Sequence, residues 1–188
     1  MTKEISPKKQ IIQAIIGLLI LIVVGAGCSY LLREEIQFYG TMLIENFGLW
    51  GLVMGTIITD TSPLPLSSEP VAILGLGADL NLLDIIWTMS LTSHLSGPLG
   101  YFLGNIFSKT RLVSYLLNHK LVYIKEFVQK HGIKAVCMGA LLPIPYALTT
   151  WTAGAVGISF WGTFWASSLR WVKTSLYVYL LSLGWNIT

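Results

Sequence analysis

Charge is scarce in this chain. Only 11% of its 188 residues are Asp, Glu, Lys or Arg, against 54% hydrophobic. A water-soluble domain of this length carries about 25% charged residues. The composition therefore excludes an ordinary soluble domain and leaves no separate soluble catalytic unit within these residues. Cysteine is limited to Cys28 and Cys137, far apart and in apolar surroundings. No Cys-x-x-Cys spacing exists, so two packed thiols are expected rather than a disulfide, a thiolate metal centre or a redox pair. Gly-x-Ser-x-Gly, a protease-type Gly-Asp and a His/Glu metal spacing are all missing, and no motif joins His94 to a serine. No catalytic residue, metal or cofactor is expected, nor a nucleic-acid partner.

What the chain has is long apolar segments, two of them broken in the same way. Residues 11–32 form the first run, after Lys3, Lys8 and Lys9. It is long enough to span a bilayer and reads as a retained transmembrane anchor, although Ala26-Gly27-Cys28 offers the small residues of a cleavage site. Pro63-Leu64-Pro65 and Pro143-Ile144-Pro145 then interrupt two later segments. Each is followed by a glycine, Gly77 or Gly157, fourteen residues after its first proline. A helix cannot run straight through Pro-x-Pro, and broken backbone at membrane depth is tolerated only under protein or beside a water-filled cavity. The pattern predicts re-entrant hairpins over about 46–80 and 134–158, arranged as an inverted repeat of the kind that moves polar cargo.

Basic residues are absent between Arg33 and Lys109, then crowd into 109–134 with only Glu126 against them. The positive-inside rule puts the N-terminus (residues 1–10) and that segment on the cytoplasmic side. The hairpins then enter from opposite faces, with crossings at 84–107 and 160–184. Over 109–132, Leu112, Tyr115, Leu116, Leu121, Ile124, Phe127 and Val128 recur at helical spacing among lysines. That is a basic amphipathic helix, lying either at the headgroup surface or on the protein's own inner face.

Ionisable residues at membrane depth are functional candidates. Asp60 and Glu69 flank the first Pro-x-Pro; Arg170 and Lys173 lie one helical turn apart in the last apolar segment. Either acid could carry a proton in a low-dielectric site. Asp60 could instead cap the broken helix, with Ser67 or Ser68 the better cap near Glu69. Arg170 and Lys173 suit a phosphate, or could pair with the acids and hold the repeats together. His94, in the polar patch Thr92-Ser93-His94-Leu95-Ser96, could relay protons or be hydrogen-bonded to a neighbouring helix. Gly97, Gly100 and Gly104 allow close helix approach and permit a homodimer. The seven tryptophans fit an interfacial belt.

Four of these stretches, in order, resemble the DedA family of membrane proteins, also called the VTT or SNARE-associated domain family. Asp60-Thr61-Ser62-Pro63-Leu64-Pro65-Leu66-Ser67-Ser68-Glu69-Pro70-Val71 is similar to its acidic, proline-rich signature. Gly100-Tyr101-Phe102-Leu103-Gly104 resembles its Gly-Tyr-x-x-Gly element. Leu142-Pro143-Ile144-Pro145-Tyr146 with Ala153-Gly154 resembles its proline loop, which adds Gly154 to the hairpin residues. Arg170-Trp171-Val172-Lys173 resembles the paired bases of its last helix. Members often carry arginines on both sides of the second proline loop, where this chain has Ala140 and Tyr146, so it resembles a divergent branch. An acid before Gly-Tyr-x-x-Gly is here Gly97, and a basic residue after it is Asn105.

The resemblance spans about residues 40–185 and implies a role in moving lipids across bilayers, as a flippase or scramblase. The expected protein is an all-α polytopic membrane protein of the cell (inner) membrane, with a DedA-like domain over 40–188. Its expected partners are membrane lipids of the phosphate-bearing kind, and protons. Asp60, Glu69, Arg170, Lys173 and His94 form the expected binding set. A small-solute or ion transporter and a membrane scaffold or assembly factor are the alternatives.

Overall fold

A computed structural model describes residues 33–63, 68–142 and 145–187 of the chain. The anchor expected over 11–32, the residues before it, Pro65 and Pro143 lie outside the described residues. Those described are helical, with no strand among them, in agreement with the all-α expectation. In chain order the helices are α1 (Arg33–Phe47), α2 (Leu49–Thr61), α3 (Glu69–Gly77) and α4 (Leu82–Phe107). Then come α5 (Arg111–Tyr115), a π turn (Leu116–Lys120), α6 (Val122–His131), α7 (Ile133–Leu141), α8 (Tyr146–Val156), α9 (Phe160–Ser167) and α10 (Leu169–Ile187).

Backbone geometry recurs between the two halves. α1 turns into α2 at Gly48 (φ 57°, ψ −147°), and α6 turns into α7 at Gly132 (φ 57°, ψ −130°). Only glycine enters that region readily. The first of these turns bends the chain by 107°. α2 then stops at Thr61 with Ser62 extended, and α7 stops at Leu141 with Leu142 extended. Both extended residues precede a proline, which disfavours helical geometry there.

The half-helices beyond the breaks also end alike. The left-handed residues Asp79 (φ 54°) and Gly157 (φ 77°) close α3 and α8. In each, the next N–H returns to the carbonyl five residues back: Leu80 to Gly75 at 3.3 Å and Ile158 to Ala153 at 2.9 Å. This satisfies carbonyls that the helix end leaves open. The following residue is an N-cap: Asn81 accepts from Leu83 N–H, and Ser159 accepts from Gly162 N–H. Sequence spacing makes Gly77 the counterpart of Gly157. The structure instead keeps Gly77 as the last residue of α3 and gives the left-handed turn to Asp79, whose short polar side chain tolerates it. Gly154 likewise interrupts nothing; it is a helical residue inside α8.

α2 and α3 form a helical hairpin, because Gly55 lies against Val71 while Gly75 lies against Leu52, so the two run antiparallel. Gly139 lies against Thr149 across the second break, from α7 to α8. Each hairpin has its own core. Leu52, Val71, Ala72, Leu76, Ile85 and Met89 close the first, with Val178 and Leu181 from α10. Ile124, Val128, Ala135, Val136, Ala140 and Ala153 build the second, with Tyr101 from α4 packed on it. Each long helix thus completes the core of the other half.

The surfaces of α4 show what the fold does with polarity. Leu91, Leu95, Leu99, Phe102 and Ile106 point outward, while Ser90, Ser93, Ser96, Gly97, Gly100 and Gly104 are buried. Among the described residues the buried set holds as many polar or charged side chains as apolar ones. Soluble proteins bury mainly apolar side chains; helices associating in lipid pack through small and hydroxyl residues in this way. A Cβ on Gly104 would strike the Trp151 backbone, and one on Gly154 would strike the Tyr101 carbonyl. α4 and α8 therefore touch backbone to backbone, and the glycines expected to permit a homodimer are used inside the chain.

Among the described residues no single helix is long and apolar enough to cross a membrane; the bent pair Gln37–Phe47 and Leu49–Thr61 passes that test only together. α4, with 26 residues, is about 39 Å long at 1.5 Å per residue, but its inward hydroxyls and His94 lower its hydropathy. The expected crossing at 160–184 is divided at Ser168 into α9 and α10. Just before the division, Ser167 Oγ donates back to the Thr163 carbonyl at 2.7 Å, a bond that bends helices. The single amphipathic helix expected over 109–132 is three pieces: α5, the π turn and α6. Ile124 and Val128 of α6 are buried in the second core. The apolar face of α6 is thus covered by the protein itself, and Tyr123, Gln129 and Lys130 face outward.

A candidate charge site between the two breaks

Asp60 occupies the last turn of α2, one residue before the first break. A carboxylate there faces the negative end of the helix dipole, so it needs a cation. Arg170 supplies one: its Nη2 donates to Asp60 Oδ2 at 2.5 Å, from 110 residues further along the chain. Arg170 Nε also donates to Ser93 Oγ at 2.7 Å, and Ser93 Oγ donates to the same Asp60 oxygen. Asp60 is 6% exposed, Arg170 5% and Ser93 0%. The capping role open to Asp60 in the sequence is not the one it takes, since its carboxylate is committed to this triad.

The second break reaches the same place. Tyr146 begins α8, directly after Pro145. Its ring lies under the Arg170 guanidinium, centroid to Cζ 4.6 Å. Its hydroxyl is buried beside Ser167 Oγ and the bare face of Gly97. Trp151, one turn on, donates its indole N–H to the Thr61 carbonyl at 2.8 Å. Asp60, before the first break, and Tyr146, after the second, therefore converge on one arginine of α10.

Lys173, half-buried, lies one turn beyond Arg170. Its Nζ donates to the Leu142 carbonyl at 3.4 Å, where α7 ends, and stands 5.9 Å over the Tyr177 ring. A small, partly open cleft of about 20 Å³ adjoins this point. Its walls carry Ser68, Glu69, Arg170, Lys173, Thr174 and Tyr177, with Ala72, Met89, Val178 and Leu181 as the apolar part. Glu69 opens α3, with Pro70 after it; its charge suits the positive end of that helix dipole. Ser68 is the N-cap residue of α3, as the sequence allowed, but its side chain makes no capping hydrogen bond.

His94 stands apart from the pair. It is buried, its ring is edge-on to Phe164 at 4.7 Å, and its Nδ1 has no protein partner. Thr56, Thr61, Thr152 and Thr163 also bury hydroxyls without partners. Native interiors leave few such groups unpaired, so the interface of α2, α4, α8 and α9 is unusually polar for its burial.

Of the candidates, Asp60, Arg170, Lys173 and Glu69 are thus gathered at or beside one locus, Pro63 and Pro145 sit at the two breaks, and His94 lies one residue from Ser93 on α4. Sequence reasoning missed Ser93 and Tyr146 as site residues. The polar patch around His94 contained the first, and the departure at the second proline loop marked the second. A family model described as the VTT domain matches residues 64–183. Comparison with curated proteins and with solved structures finds no match.

Proposed function

The chain belongs to the VTT-domain (DedA/SNARE-associated) family, and on that premise we propose that it is an integral membrane protein that moves a lipid with a phosphate-bearing headgroup between leaflets. Its apolar outer faces suit lipid. The recurring turn, break and cap geometry fits an inverted repeat whose hairpins enter from opposite sides, with the N-terminus in the cytoplasm of a cell (inner) membrane. The reading assigns transport to the chain and no covalent chemistry.

The observation that carries it is the convergence on Arg170. A buried arginine is held by an acid from one broken helix and by an aromatic face from the other. A second cation, Lys173, stands at the mouth of an adjoining cleft. A phosphate competes with a carboxylate for a guanidinium, since both offer paired oxygens. A proton taken up by Asp60 removes its charge and frees Arg170 for the headgroup; Glu69 offers a second protonation site on the cleft wall. The headgroup crosses beside these residues while its tails stay in lipid along the apolar wall.

Reconstituted vesicles carrying tail-labelled phospholipid test the proposal. Wild type should equilibrate label between leaflets, and Arg170→Ala and Glu69→Gln should slow it about tenfold or more, the effect of losing about 1.4 kcal/mol of barrier stabilisation. An unchanged rate and pH dependence in both variants would remove the roles given to these residues. Flux of an ion-sensitive dye's target without lipid movement would replace the reading by small-solute or ion transport. A transport-dead variant with full cellular effect would point to a scaffold.

A further inference from the structure

The two cations of α10 tie the broken helices crosswise. Arg170 takes the end of α2, through Asp60, and the start of α8, through the Tyr146 ring. Lys173, one turn further, takes the opposite ends. Its Nζ donates to the Leu142 carbonyl where α7 stops, and it lines one cleft with Glu69, the first residue of α3. Dipole polarity accounts for the pattern. α2 and α7 turn their negative ends towards the breaks, and each receives a cation. The positive end of α3 favours the Glu69 carboxylate, an anion that attracts the Lys173 ammonium on the same wall. The geometry points to Lys173 as a positioning residue: it holds the tip of the second hairpin to the first, and its release opens the gap beside Arg170 through which the headgroup passes. This inference rests on the lipid-translocation reading and gives Lys173 a role other than touching cargo.

The two ties differ in strength. Arg170 and Asp60 are both buried and joined at 2.5 Å, a charge-assisted bond. Lys173 is half-buried and reaches the Leu142 carbonyl at 3.4 Å, beyond the usual span of an N–H···O bond. The Lys173 tie is therefore the one that opens first. Its ammonium is nevertheless aimed. Leu142 is the C-cap of α7, and the last carbonyls of a helix lack intrahelical donors, so a lysine side chain suits them. The Tyr177 ring, one turn along α10, lies 5.9 Å from Nζ. That cation–π contact restrains a flexible stem from the helix that carries it.

The test places spin labels at Pro70→Cys in α3 and Leu142→Cys at the end of α7, both exposed positions. The full chain carries Cys28→Ser and Cys137→Ser and sits in vesicles with tail-labelled phospholipid. With Lys173 in place, the distance between labels should follow one narrow distribution. Lys173→Met should about double its width and slow lipid movement about tenfold. Lys173→Arg keeps the charge and the donors, and should restore the width and about half the rate or more. An unchanged width in Lys173→Met with slowed transport would make Lys173 a cargo ligand and overturn the inference, leaving translocation intact. A doubled width at the wild-type rate would also overturn it, because the tie would then have no part in transport. Wild-type vesicles that move no lipid would overturn the translocation reading itself, and the width comparison would then support or refute the tie alone. Glu69→Gln weakens the same tie from the α3 side and should broaden the distribution, which decides the matter if Lys173→Met fails to fold.

Discussion

Trp151 clasps the two broken helices together: its indole N–H donates to the carbonyl of Thr61, the last residue of α2, at 2.8 Å. The bond joins α8 to the end of α2, where a helix leaves carbonyls without intrahelical partners. The same indole stacks on Phe107 at 5.9 Å and 13°. Trp151→Phe keeps an aromatic ring there and removes only the donor. We expect it to cost about 1–3 kcal/mol, the price of leaving a buried carbonyl unpaired, measured by thermal or denaturant unfolding in detergent. A stability unchanged from wild type would show that the two breaks are held together by packing alone.

Asp60 and Arg170 should behave as one unit. Removing one member of a buried ion pair leaves the other uncompensated and costs about 3–5 kcal/mol, whereas replacing both by apolar residues of similar volume is often neutral. Asp60→Asn and Arg170→Met should each fall in the first range. The double variant Asp60→Leu with Arg170→Met should regain most of the loss, and should not translocate lipid. Additive losses in the double-mutant comparison would show the two groups to be energetically independent.

The two breaks were legible because Pro-x-Pro forbids a helix whatever surrounds it. Asp60, Glu69, Arg170 and Lys173 stood out because charge is so rare in this chain, and the structure brings them to or beside one locus. Which acid holds Arg170 was not, since sequence spacing cannot bring α2 to α10; the triad is closed by Ser93 on a third helix. The left-handed exit at Gly157 could be read from its glycine, while its counterpart at Asp79 could not, because aspartate commits to no φ. Tyr146 was visible only as a departure from the family pattern, and its meaning came from lying under Arg170. The stretch 109–132 misled because helical periodicity persists across a π turn that only backbone hydrogen bonds reveal.

The paired glycines give a backbone test of the recurrence. Nothing lies within 4 Å of the position a Cβ would take on Gly48, Gly132 or Gly157, so any cost of adding one is conformational. Gly48→Ala and Gly132→Ala should each lose about 1–3 kcal/mol, the range for a side chain forced into a sparsely populated backbone region. Gly157→Ala should lose about 1–2 kcal/mol for left-handed helical geometry. Asp79→Gly should go the other way, gaining up to about 1 kcal/mol by relieving the same strain. Calorimetry or chemical denaturation of the four variants decides this. A destabilised Asp79→Gly would mean that the Asp79 side chain, not its φ, is what the turn requires.

Tyr146 separates ring from hydroxyl. The ring lies 4.6 Å from Arg170 Cζ, a contact worth about 0.5–2 kcal/mol when desolvated. The hydroxyl is buried beside Ser167 Oγ, so what it gains there is largely offset by its desolvation. Tyr146→Phe should therefore stay within about 1 kcal/mol of wild type, and should translocate lipid at least half as fast. Tyr146→Leu loses the aromatic face and leaves a cavity; a loss of about 2–4 kcal/mol is expected. Its translocation should fall about tenfold, because Arg170 is no longer pinned between the two breaks. Equal damage from both substitutions would move the role to the hydroxyl and its neighbour Ser167. Little damage from either would mean that Asp60 and Ser93 alone hold the arginine in place.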